Sequence, residues 1–104
     1  MSYITCEGYV HCVPYRSSQV EHRVFIDEKD HKKLYTWLRE NHVDTNLEAL
    51  SHPISHKSCP QIQARSTAKN IKDGTQVKIT IDVATRMKSG KPRVGLKTLS
   101  IIPI

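Results

Sequence analysis

Rings are scarce in this chain of 104 residues: one Phe, one Trp and four Tyr, 6% in all. A surface that holds flat ligands by stacking has few residues to draw on, and each can be followed individually. Apolar runs are short as well. None approaches the roughly 20 residues of a membrane helix, so no membrane association is expected. The opening residues, Met1-Ser2-Tyr3-Ile4-Thr5-Cys6-Glu7, lack a basic segment followed by an apolar one, and no signal peptide is expected. The three cysteines, Cys6, Cys12 and Cys59, are an odd number. Without an export signal they read as free thiols in a reducing, cytoplasmic compartment.

Catalytic signatures are missing too. The four glycines form no phosphate-cradling loop, and the carboxylates Glu7, Asp73 and Asp82 are too scattered to make an acid–base pair. Cys59, beside His56 and Lys57, is the one local setting for an activated thiol. His52, His56 and Cys59 have H-x3-H-x2-C spacing, a set of N and S donors that suits zinc, with Cys6, His11 or Cys12 available to complete four ligands. The paired-ligand knuckles that accompany such sites are absent, and His52-Pro53 reads as loop. No enzyme activity, metal or cofactor is expected.

Positive charge is present in excess and unevenly placed. Sixteen Lys and Arg oppose ten Asp and Glu, a net charge of +6. Residues 1–56 carry six basic and eight acidic side chains, whereas residues 57–104 carry ten basic and two acidic ones. A domain with one strongly basic half carries the electrostatic footprint of a polyanion partner, most often nucleic acid.

The chain has room for one domain, residues 1–104, with a modest core. Residues 3–14 alternate, with Ile4, Cys6, Gly8, Val10 and Cys12 on one face, and Gly8 marks a bend. Pro14 ends this run. Residues 20–26 form a second strand and complete a hairpin. Asp27 caps a helix whose face is His31, Leu34, Tyr35 and Leu38, with Trp37 at its border and an end near Asn41-His42. A capping-box spacing at 45–48 predicts one more helical turn over 46–50, and residues 51–60 read as loop. Residues 61–67 form a weak strand, and Lys72-Asp73-Gly74 a turn. Residues 76–87 form the clearest strand, with Val77, Ile79, Ile81 and Val83 on one face. Lys88-Ser89-Gly90-Lys91 is a hairpin turn. The returning strand, 93–102, changes apolar parity between Leu96 and Leu99, which predicts a one-residue bulge near Lys97-Thr98. The fold class is α+β: a small antiparallel β-sheet or OB-like barrel of about five strands, with one main helix between strands 2 and 3.

On this frame the candidate ligand contacts fall into two groups. Lys78, Arg86, Lys88, Lys91, Arg93 and Lys97 lie on and beside the last hairpin, where they suit phosphates. Tyr9, His11 and Phe25 share the polar-facing parity of the first two strands, where they suit stacked bases. A basic hairpin closing over an aromatic platform would make a non-catalytic nucleic-acid-binding protein, with single strands the expected target. The other reading is a small phage- or plasmid-type inhibitor or adaptor whose basic face docks on an acidic protein surface. The weak strand at 61–67 offers an edge for pairing two copies into a homodimer.

The segments Val77-Lys78-Ile79-Thr80-Ile81-Asp82 and Leu99-Ser100-Ile101-Ile102-Pro103 resemble parts of the small single-stranded-DNA-binding proteins of filamentous phages. That resemblance implies an OB-fold dimer that coats a strand with basic and aromatic side chains. It covers about ten residues. The spacing of the segments differs and the helix has no counterpart there, so no binding residue is carried over from that family.

Overall fold

The first strand serves two partners. In the computed structural model, which describes residues 3–16, 19–44, 59–64 and 70–104, strand β1 (Ile4–Arg16) pairs through Ile4–Tyr9 with β4 (Gln76–Lys88). From Gly8 onward it pairs with β2 (Gln19–Ile26). The handover falls at Gly8, where an added Cβ would stand 2.4 Å from the Phe25 carbonyl oxygen. Only glycine lets β2 approach that closely. The predicted stop at Pro14 is passed by two residues, with a register shift between Pro14 and Arg16.

All pairings are antiparallel, and the order across the sheet is β3-β2-β1-β4-β5, with β3 spanning Gln61–Gln63 and β5 Lys91–Pro103. Over the described residues the sheet is open, the first of the two expected forms, and closure into a barrel is not seen. Among the described residues no ladder joins the end strands, and their link is the Thr98 hydroxyl donating to the Gln63 carbonyl at 3.2 Å. The expected bulge is present. Ile81 faces Thr98 while Thr80 faces Ser100, leaving Leu99 as the extra residue. That residue shifts parity so that Leu96 and Ile101 both turn into the core while Leu99 stays exposed.

The core lies on one face of the sheet. Ile4, Cys6, Val10, Val24, Ile26, Val77, Ile79 and Ile81 meet Leu34, Trp37 and Leu38 of helix α1 (His31–Glu40). Each fully buried aliphatic side chain contributes about 1.5–3 kcal/mol. Trp37, expected at the border of the helix face, is buried, whereas His31 and Tyr35 are only half-buried. Cys12 shares parity with Cys6 but is exposed. Asp27 precedes a 3-10 turn (Glu28–Asp30) without a side-chain capping bond. Instead the Asp30 carboxylate accepts the Glu7 backbone N–H at 2.8 Å, which ties the start of the helix to β1.

The helix ends in a reciprocal pair of backbone bonds. The His42 N–H donates to the Arg39 carbonyl and the Val43 N–H to the Leu38 carbonyl, with His42 at φ 55°. This is the Schellman arrangement, with histidine in the left-handed position that glycine usually takes. The expected turn over 46–50, the loop at 51–58 and the strand extension through 65–67 lie outside the described residues.

Two substitutions test these backbone demands. Gly8→Ala should lower stability by about 1–3 kcal/mol, because β2 must give way. His42→Gly should raise it by about 0.5–1 kcal/mol by relieving the left-handed strain. Urea unfolding followed by circular dichroism measures both, with the m-value unchanged.

Candidate nucleic-acid interface

The register puts all nine predicted contact residues on the sheet face opposite the core. On β1 and β2, Tyr9 stands across from Phe25 and His11 across from Arg23. On β4 and β5, Asp82 stands across from Lys97, Arg86 from Arg93 and Lys88 from Lys91. Lys78 lies between Glu7 and Ile102 in the same register. Period-2 alternation across the four strands, reset in β5 by the Leu99 bulge, produces this common face.

The aromatic end is only partly open. His11 and Phe25 meet edge to face, with ring centroids 5.0 Å apart and planes at 87°, a favourable pairing in its own right. Phe25 is only 8% exposed, so it supports the neighbouring rings and offers no free face to a base. Of the three predicted rings, Tyr9, at 40% exposure, and half-buried His11 are accessible; Tyr3, outside that set, is 45% exposed. Arg23 sits in the same cluster. Its guanidinium donates to Glu21 Oε2 at 3.0 and 2.8 Å and to Gln61 Oε1 at 3.0 Å. Held on both sides, Arg23 ties β2 to β3, and its charge is neutralised by Glu21. The His11 Nδ1 lies 3.6 Å from Asp73, whose carboxylate also accepts the Cys12 N–H at 2.8 Å. Arg23 and Gln61 were not singled out from the sequence. Their signal was shared parity with Phe25, which is visible only once β3 is known to pair with β2.

The cationic end has a different form. Residues 85–93 are all exposed, so the ends of β4 and β5 project as a two-stranded arm. Its tip is Ser89-Gly90, with φ 53° and 76°, the two left-handed residues of a type I′ turn. Like charges face each other across the arm, Arg86 against Arg93 and Lys88 against Lys91. Such pairs destabilise a hairpin unless an anion separates them. Two of the four cations are partly engaged. Arg86 donates to the Leu96 carbonyl, and Arg93 Nη1 lies 3.5 Å from Asp44. No carboxylate pairs with Lys88 or Lys91 among the described residues.

The two ends are not brought together. Tyr9 stands across from Gln76 at the start of β4, and the like-charged pairs sit at its far end. Arg86 and Lys88 lie ten and twelve residues further along that strand, in a molecule whose longest extent is 35 Å. In the register the rings and the arm are therefore two separate parts of one face.

Of the metal candidates, His52 and His56 lie outside the described residues, and no cluster of three ligating side chains occurs among those described. Burial raises the Cys59 thiol above its usual range and nearby Asp27 raises it further, which is opposite to the shift an activated nucleophile needs. No helix among the described residues is long and apolar enough to cross a membrane. No family model, curated protein or solved structure matches the chain.

The thiols give a direct check of these environments. Burial pushes Cys6 up to about 11, with Lys33 opposing and Asp30 adding to the shift. A thiol reagent at pH 8 should modify exposed Cys12 within minutes, Cys59 more slowly and Cys6 only on unfolding. Because the folded value lies above the ordinary 9.0, the stability contribution of this thiol is complete below pH 9 and is lost as pH rises towards 11. Cys6→Ala should flatten that part of the pH–stability curve.

Proposed function

We propose that this protein binds nucleic acid without catalysing a reaction, and that it takes a single strand. The observation that carries the reading is the arm. Nine consecutive exposed residues hold two directly opposed like-charge pairs. That arrangement costs stability in the free protein and is relieved when phosphates lie over it. Lys88 and Lys91 make the freest phosphate contacts. Arg86 and Arg93 add to them from partly anchored positions, and Lys78 and Lys97 extend the cationic track along the sheet. Tyr9 and His11 offer the rings for unstacked bases, with Phe25 setting the His11 ring on edge.

The sheet supports an OB-like reading of the same function. Its end strands are linked by the Thr98–Gln63 hydrogen bond, and pairing them fully would complete a small five-stranded barrel, an architecture that binds oligonucleotides on its strand face and its hairpin loops. The resemblance to the phage single-strand coating proteins points the same way.

The decisive measurement is a titration with labelled oligothymidine over a range of salt concentrations. Four phosphate contacts predict a log–log slope of about −3, roughly −0.7 per contact. Lys88→Glu with Lys91→Glu should abolish binding without changing the circular dichroism spectrum. Lys91→Glu alone should weaken binding and also raise stability by about 0.2–1 kcal/mol, because it turns a like-charge pair into an opposite one. A purely solvating arm would gain the stability and show no binding to lose. Absence of binding at low salt would turn the basic face towards an acidic protein partner, to be sought by pull-down.

A further inference from the structure

We infer that the preferred ligand is a B-form DNA duplex bearing a single-stranded tail, with the arm on the duplex and the Tyr9 end on the tail. This rests on the nucleic-acid reading above and deepens it. The first ground is the distribution of rings. No Phe, Tyr or Trp follows Trp37, so β4, β5 and the arm contain no aromatic ring for an unpaired base, and only the Arg86 and Arg93 guanidinium planes could stack on one. Tyr9 and His11, which suit unpaired bases, lie at the other end of the shared face, while exposed Tyr3 precedes Ile4, which faces Ile81 midway along β4.

The second ground is the shape of the arm. Surfaces that track single strands are grooves, engaged from one side. The arm is a free ribbon, exposed on both faces over residues 85–93. A two-stranded ribbon is the β element that the major groove of B-DNA admits. A-form RNA, with its deep and narrow major groove, does not accept it.

The third ground is the arm's second face. Arg86, Lys88, Lys91 and Arg93 occupy one side, and Thr85, Met87 and Pro92 the other. Met87 is 70% exposed and stands across from Pro92. Among the described residues, none packs over this apolar pair on the projecting cationic ribbon. Seated in a groove, it meets base edges and thymine methyl groups while the long cationic side chains reach the flanking phosphates. The cations thus serve phosphates of either form, the rings serve the tail, and Met87 with Pro92 serve the duplex.

Fluorescence anisotropy with three labelled ligands tests this: oligothymidine, a blunt duplex, and the same duplex with an oligothymidine tail. At one salt concentration the tailed duplex should bind at least about tenfold tighter than either part alone, because the second contact becomes intramolecular. Met87→Ser should weaken binding of the blunt and tailed duplexes several-fold and leave oligothymidine unchanged. Tyr9→Ala should bring the tailed duplex down to the level of the blunt one. A tailed duplex that binds no tighter than oligothymidine overturns the inference and leaves the single-strand reading standing. If none of the three ligands binds at low salt, both readings fall together.

Discussion

The contact between Gly8 and the Phe25 backbone governs the arrangement of this domain. Because β1 has no side chain at that point, β2 comes in close on one side while β4 has already taken the other. One strand therefore sits at the centre of the sheet, and every other element is placed relative to it. The helix is fastened to the same stretch, through Asp30 on the Glu7 N–H, Lys29 on the Glu7 carboxylate and Lys33 on the Thr5 carbonyl. The core is then the inner parity of β1 extended outward through its neighbours, and the candidate interface is its outer parity.

Two kinds of surface result on that outer side. Near β2 and β3 the polar groups satisfy one another: Arg23 is held by Glu21 and Gln61, and His11 packs on Phe25. The Arg23 and Glu21 charges cancel there. Beyond the reach of the core, β4 and β5 continue as an exposed pair over residues 85–93, with basic residues facing each other across it. The first surface holds paired charges, and the second concentrates cations of one sign. Paired and unbalanced charge are divided between opposite ends of one sheet.

Much of the architecture was legible because burial of one sheet face imposes a period of two. The strand at 76–87 and its inner residues Val77, Ile79 and Ile81 followed from alternation alone. The slip in parity between Leu96 and Leu99 located a bulge to within a residue, since a core-facing strand cannot change phase without an extra residue. What stayed hidden was long-range. Alternation does not say which strand lies beside which, so the separation of Tyr9 from the arm emerged only with the β1–β4 register. Parity placed Phe25 outward but could not show that Gln61 and Tyr9 flank it and His11 packs on its ring. The left-handed residues His42 and Ser89 carry no side-chain signature as strong as glycine's, and Trp37 lay at the edge of a helical stripe that tertiary packing widened.

The pairing of Ile4 with Ile81 also shapes how the chain acquires its structure. The hairpin of β1 and β2 is local, and so is that of β4 and β5, but the ladder that joins them closes a loop over most of the sequence. Loop closure costs entropy before any contact repays it, so this ladder closes more slowly than either hairpin. On the ribosome, the inner face of β1 is made well before β4, the strand that it pairs with. Until β4 emerges, Ile4 and Cys6 lack the strand that completes their side of the sheet, and the helix tethered to Glu7 is the nearest element to shield them.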